Sequence, residues 1–432
     1  MSDPSHLRHP SPVSDPSPAR DPSPTRDPSP TARDPSPARD LLVTAHTPAL
    51  GSGRALRTYG IARALAAHRG LDLLYARFEG DAADAAFAAI PGIALHAAVP
   101  SRGPRRLLAY AAARAAGVPA DLARGASPEL ATEAARLAGA ADRGRVIADG
   151  PVVAAALRGL MRERPVIYNA HNFESGFRHE LGERDPRAER VLRRFERRLL
   201  AGAAESWMVS EADIAAARAL CPAARLRYVP NVVDVQAIVP VERPGAEPRA
   251  LFVANFAYEP NLTGLRFLLG EVFPLVWSEL PEAKLALVGA GLGTSTAAPV
   301  ATGPDPHGTP IPELRELVDD PRVEARGFVE DLGAVYAEAR CAVVPLLQGG
   351  GTPLKLIEAL AYGQPVVATT RAASGLAVRD GEHCLIADDA QSFAAALAGV
   401  LRAGAPELGR RGRELAAERY SIEALISLLA PA

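Results

Sequence analysis

Twice along this chain, short apolar runs that fit buried strands alternate with longer stretches of helical periodicity, and that rhythm confines it to few architectures. The first series runs through "LLVTAHTP", "LDLLYARF", "IALHAAVP", "GRVIAD", "PVIYNAH", "ESWMVS" and "LRYVP". The second runs through "ALFVANF", "KLALVGAG", "VEARGFV", "CAVVPL", "PVVAT" and "CLIAD". Strands buried on both faces and separated by helices pair in parallel, with the crossover helices covering the sheet. A proline-rich stretch, "VPVERPGAEP" at 239–248, falls between the two series. The expected fold class is therefore α/β, with two Rossmann-like, doubly wound parallel-sheet domains at 41–238 and 249–432. Residues 239–248 would link them, and the last helix would be free to pack back on the N-terminal domain. Ligands of such sheets lie beyond the carboxyl ends of the strands, so a cleft between the domains is the expected site.

Residues 1–40 follow a different rule. "DPSPAR", "DPSPTR", "DPSPTAR" and "DPSPAR" succeed one another with almost nothing apolar to bury, as in a disordered low-complexity tail. The chain as a whole is 48% apolar and 23% charged with a net charge of −2, which gives nucleic acid no global field to follow. Cys221, Cys341 and Cys384 form no Cys-x-x-Cys pair, which argues against structural zinc and for a reducing compartment. No apolar run is long enough to span a bilayer and no signal-peptide core follows Met1, so a cytoplasmic location is expected. "RAERVLRRFERRLL" (187–200) is strongly basic. It is either a solvated helix laced with Glu–Arg pairs or a peripheral contact with anionic head groups at the inner face of a membrane.

The most informative stretch is "GGGTPLKLIEALAYGQPVVAT", residues 349–369. Thr352 suits an N-cap, Pro353 the first helical position, Gly363 a left-handed C-terminal residue, and Val366–Ala368 a buried strand. That places Lys355 third in the helix, where the macrodipole makes a cation unfavourable by about 0.3–1 kcal/mol. An anion bound at that helix end removes the conflict. Gly349, Gly350 and Gly351 would let the backbone approach it closely, and Lys355 would add charge for phosphate oxygens. An i,i+3 ion pair with Glu358 is the plainer alternative. Lys284 and Lys355 are the only lysines among otherwise all-arginine cations, which favours the anion site. Glu358, one turn on, could accept two hydrogen bonds from a ribose diol while Lys355 meets the phosphates.

Other strand-end loops offer further candidates. Gly51 and Gly53 flank Ser52 before a helix and could admit a diphosphate or sugar, with Arg54 and Arg57 supplementing the loop or merely solvated. His171 and Asn172 of "YNAHNFES" would project from the carboxyl end of a strand. Backbone groups around Phe328 in "RGFVED" could hold a nucleobase, unless Phe328 packs in the core.

Taken in order, "GSGRALRTYGIARAL", "AHNFES", "VSEAD", "VPNVVD", "LFVANFAYEPN", "PEAKLALVGAG", "ARGFVEDL" and the 349–369 segment resemble the GT-B glycosyltransferases, in particular retaining family four, the group 1 glycosyl transferases. The resemblance covers essentially residues 41–430. It implies a C-terminal domain that binds a nucleoside-diphosphate sugar and an N-terminal domain that faces a glycan, lipid-linked or small-molecule acceptor. It also implies front-face attack assisted by the departing phosphate, with no protein nucleophile, no metal and no cofactor besides the co-substrate. Within it, Glu358 matches the ribose-binding glutamate, His171 the cleft histidine near the transferred sugar, and Thr352 lies in the donor loop. Two positions depart from the family pattern. Gly350 stands where the first of two motif glutamates is usual, and Asn255 is offered where an arginine and a lysine are usual, so Lys355 would restore lost charge. A sugar-nucleotide-binding protein without turnover is the alternative. An epimerase of the same fold would need a pair of cleft carboxylates that the sequence does not supply.

Overall fold

The computed structural model describes residues 38–431 apart from 52, 79, 141–142, 181–184, 243–244, 293–317 and 350–351. Residues 1–37 of the expected tail, with Gly350 and Gly351, thus lie outside the described residues, whereas Arg39 and Asp40 do not belong to a tail but open the first strand, with Asp40 fully buried. Among the described residues, thirteen strands form two parallel sheets. The first contains β1 (Arg39–Thr44), β2 (Leu71–Ala76), β3 (Ile93–Ala98), β4 (Arg143–Asp149), β5 (Ile167–Asn169), β6 (Glu205–Met208) and β7 (Leu226–Tyr228), in the order β3-β2-β1-β4-β5-β6-β7. The second contains β8 (Arg249–Val253), β9 (Lys284–Val288), β10 (Val323–Gly327), β11 (Cys341–Val344), β12 (Val366–Ala368) and β13 (Leu385–Ile386), in the order β10-β9-β8-β11-β12-β13. In both, the order reverses beside the first strand, and there the strand-end loops part to leave a ligand crevice.

The central strands are apolar along the stretches that helices cover on both sides. Leu41, Val43, Val146 and Ala148 pack into one layer under Leu130, Leu192, Phe195 and Leu199. Leu42, Leu73 and Ile147 face the opposite layer with Ile61 and Leu65. That second layer also contains Ile422, Leu425 and Leu429, so the C-terminal helix Ile422–Leu428 belongs to the core of the first domain. Gly60 permits this closeness, since a Cβ there would stand 2.6 Å from Val232 Cγ2 and 3.7 Å from Leu425 Cδ2.

The loops at the carboxyl ends of the two sheets meet. A Cβ on Gly53 would lie 3.4 Å from Leu354 Cδ1, and one on Gly375 would lie 2.8 Å from Ser210 Cβ. No helix of the described residues is long and apolar enough to cross a membrane. The basic helix Pro186–Gly202 buries Leu192, Phe195, Leu199 and Leu200 in the domain and leaves its arginines outside.

Candidate functional site

On the first-domain side the site is built around Asp149, the fully buried last residue of β4. Its carboxylate accepts hydrogen bonds from Thr58 Oγ1 and Asn169 Nδ2, both at 2.7 Å, and meets His171 Nε2 at 2.7 Å. Burial alone would raise its pKa. The neighbouring His171 and these hydrogen bonds outweigh it and hold the carboxyl well below the usual carboxylate range. The His171 ring lies over the backbone of Gly150, whose φ is 88° and whose added Cβ would come within 3.1 Å of the ring. Only glycine tolerates both demands. His171 therefore stands at the carboxyl end of β5 with one nitrogen fixed by Asp149.

Arg57 is buried, not solvated. It donates to Asn169 Oδ1 at 2.6 Å, Val229 O at 2.9 Å and Asn231 Oδ1 at 3.1 Å. Burial brings its pKa down to about 10 against the pull of Asp149, which leaves it cationic at neutral pH. Asn231 in turn donates to Thr352 Oγ1 at 2.9 Å and to Thr352 O at 3.2 Å. A continuous buried polar strut thus runs from Asp149 through Asn169, Arg57 and Asn231 to the entrance of the glycine-flanked helix. Arg54, by contrast, is exposed and meets His46 Nε2 at 2.7 Å.

On the second-domain side the helix is Leu354–Ala361 with Pro353 as its N-cap residue. Thr352 does not cap it, since it lies one residue before the N-cap position, and its hydroxyl accepts from Asn231. Lys355 is consequently second in the helix, not third, and still within the first turn. Its Nζ donates to Asn261 Oδ1 and stands 5.7 Å from the centroid of the Phe252 ring. Among the described residues no carboxylate lies within ion-pair distance of it, so the expected alternative pair with Glu358 does not form. Burial lowers the Lys355 pKa from 10.5 to about 7, and Glu358 only partly offsets this. Glu358 accepts from Tyr336 Oη at 3.3 Å, and burial raises its pKa to about 7. Tyr336 is itself stacked on Tyr362, with centroids 4.1 Å apart. The helix therefore presents an enclosed cation and an enclosed carboxylate one turn apart, each short of the solvation its charged form needs.

The remaining candidates are placed as follows. Asn255 is exposed, and its Oδ1 accepts from Ala257 N at 3.0 Å, which closes the loop after β8. Its carbonyl accepts from Asn261 Nδ2 at 2.7 Å, so Asn255 orients the amide that holds Lys355. Phe328 follows β10 and is 43% exposed, which rules out core packing. Gly349 has φ 115° and lies beside Pro260 and Tyr258. Gly51 has φ 117° with open space around its Cα, and Gly53 begins the helix Gly53–Arg69. Asp149, Asn231 and Asn261 are additions that the residue patterns did not single out. For Asp149 the signal was present, since it ends "GRVIAD" at the same sheet edge as His171.

Residues 247–403 match the family described as Glycosyl transferases group 1. Sucrose-phosphate synthase from Thermosynechococcus elongatus superposes with a TM-score of 0.66 at 18% identity, over 90% of this chain and 97% of that one. Anabaena Alr3699/HepE, solved in complex with UDP and glucose, gives a TM-score of 0.62 at 14% identity over 90% of this chain and 98% of that one. TarM gives 0.54 at 15% identity over 69% of this chain and 57% of that one. The fold is therefore GT-B. An uncharacterized 44.6 kDa protein in the cps region of Klebsiella pneumoniae is 30% identical over 151 residues, 33% of this chain, and the match spans about a third (34%) of that protein's length.

Proposed function

We propose that this chain, GT-B in fold and matched over residues 247–403 by the group 1 glycosyl transferases, is a retaining glycosyltransferase. It would take a sugar from a nucleoside-diphosphate sugar and pass it to a polysaccharide, glycolipid or metabolite acceptor. The observation that carries this reading is Lys355: a cation enclosed at a helix N-terminus, held by Asn261, with no carboxylate partner among the described residues. A diphosphate supplies what that position lacks. Its charge meets the lysine and the helix N-terminus together. Glu358, one turn further on, would take the ribose hydroxyls, and the exposed Phe328 would meet the base. The complex of Alr3699/HepE with UDP and glucose supports a nucleotide sugar as ligand class.

Across the cleft, His171 would face the transferred sugar, oriented by Asp149. The departing diphosphate would take up the acceptor proton on the same face, so that the anomeric configuration is kept. Lys355 would balance the charge that grows on the leaving group. No metal and no other cofactor enters the proposal. Contact with a membrane surface belongs to it, because a lipid-linked acceptor is presented there.

The test is a thermal-shift screen against nucleoside diphosphates, followed by turnover with the corresponding sugar nucleotides and proton NMR of the first-formed product. An α-linked donor should give an α-linked product. An inverted anomer would overturn the retaining mechanism, and binding without transfer or donor hydrolysis would leave a sugar-nucleotide-binding protein.

A further inference from the structure

At the β3 edge of the first sheet the chain exposes apolar side chains instead of burying them. Of ten large hydrophobic residues exposed among the described residues, four come from this corner: Phe78 (40%), Val99 (56%), Leu107 (69%) and Leu108 (69%). They leave the sheet together, since β2 and β3 pair as far as Ala76 and Ala98. The helix Pro104–Ala115 has no buried residue at all. Tyr110 and Ala113 touch the core, while Leu107, Leu108, Ala111, Ala112 and Ala115 face outward.

Arginines predominate among the charges described around this patch. Arg77, Arg102, Arg105 and Arg106 are all exposed, and Arg77, Arg105 and Arg106 make no ion pair among the described residues. Of the nearby carboxylates, Asp121 pairs with Arg178, Glu129 accepts from Ser101 and Ser127, and Asp81 accepts from Thr47. Arg105 and Arg106 also occupy the first turn of a helix that has no acidic residue there, where the dipole disfavours cations. Next to this helix, Arg198 of Pro186–Gly202 reaches Ala116 O at 3.5 Å, so the exposed Arg190, Arg193, Arg194 and Arg197 extend the basic surface. The basic helix lacks an apolar face to insert, and the helix beside it exposes one.

We propose that this corner docks on an anionic lipid bilayer. Leu107, Leu108, Phe78 and Val99 enter the boundary between head groups and acyl chains, and the surrounding arginines meet lipid phosphates. β3 ends on the same side of the sheet as the loops that carry Gly53 and His171, so docking holds the acceptor side of the cleft against the membrane. The inference builds on the proposed membrane contact and is independent of donor binding.

Co-sedimentation of the full chain with vesicles tests it, using phosphatidylcholine alone and phosphatidylcholine mixed with phosphatidylglycerol. The protein should sediment with the anionic vesicles, and less so as salt rises. Arg105→Gln with Arg106→Gln should weaken binding about thirty-fold, at about five-fold per arginine. Leu107→Ser with Leu108→Ser should weaken it at least about ten-fold. Both variants should keep the wild-type melting temperature and nucleoside-diphosphate affinity, because the replaced side chains are exposed. A wild-type protein that stays in the supernatant with anionic vesicles overturns the proposal, as do variants that bind like wild type. Self-association abolished by the leucine substitutions would assign the face to a second copy and overturn it equally. Failure here with donor binding intact removes the docking surface and leaves the donor site standing.

Discussion

Raising the pH from 7.5 to 9 should disarm Lys355 and weaken nucleoside-diphosphate binding by a predictable amount. The free protein holds this lysine at a pKa of about 7, because burial disfavours its charged form. A diphosphate against Nζ restores a pKa near or above the usual 10.5, so binding above neutrality takes up a proton. At pH 8 roughly nine in ten free molecules carry a neutral lysine, and each further unit costs about 1.4 kcal/mol, or ten-fold in affinity. The window isolates one group. A terminal phosphate with a pKa of about 6 is ionised throughout it, and Glu358, raised to about 7, is largely ionised as well. Isothermal calorimetry in buffers of different ionisation enthalpy reads both affinity and proton uptake. Lys355→Met should bind about 1.5–3 kcal/mol more weakly at pH 7 and show no slope. The same substitution tests the free protein. A lysine whose pKa is lowered on folding leaves the folded state with fewer protons between about pH 7 and 10.5, so apo stability rises with pH across that span. Lys355→Met should remove that dependence and raise apo stability at pH 6 by about 1–3 kcal/mol. Wild-type affinity that is flat from pH 7.5 to 9, or a slope that survives in Lys355→Met, would refute the assignment.

Glu358→Gln should weaken nucleoside and nucleoside diphosphate alike, whereas Lys355→Met should affect only the diphosphate; titration of both variants with both ligands separates ribose from phosphate contacts. Asp149→Asn should cost about 2–4 kcal/mol in urea unfolding at neutral pH, because it leaves Thr58 and His171 without their charged acceptor. Asp149 has a depressed folded pKa, so its contribution is present above the ordinary carboxylate range and lost as pH falls, and the two proteins should converge in acid. Gly375→Ala should destabilise by about 1–3 kcal/mol, since φ is 80° and the new Cβ would stand 2.8 Å from Ser210 Cβ and 3.0 Å from Thr352 Cγ2. Wild-type melting of Gly375→Ala would mean that the two domains do not meet there.

Each strand overlaps a run legible in the sequence, because the stretch of a strand buried on both faces must be apolar; β1 opens earlier, on Arg39 and Asp40, and β10 includes Glu324 and Arg326. Lys355 was legible for the opposite reason, since it breaks a local electrostatic rule. The polar strut was not. Arg57 pairs with Asn169 and Asn231 across 112 and 174 residues, and no local pattern distinguishes such an arginine from a solvated one. Thr352 shows the same limit. Its position fits a cap, but the helix begins one residue later and its hydroxyl accepts from Asn231, distant in sequence. Likewise the exposure of Leu107 and Leu108 has no local signature, because a helix with leucines and alanines ordinarily finds a core to cover.

The C-terminal helix gives the chain an unusual schedule on the ribosome. Ile422, Leu425 and Leu429 complete the layer that contains Leu42, Ile61 and Trp207, so the domain made first waits for residues made about two hundred positions later. At about 5–20 residues per second, the roughly 200 residues after β7 take about 10–40 s to emerge. For that interval an apolar groove on the nascent first domain stays open, available to chaperones or to another nascent chain. Trimming the last dozen residues would make that passing exposure permanent.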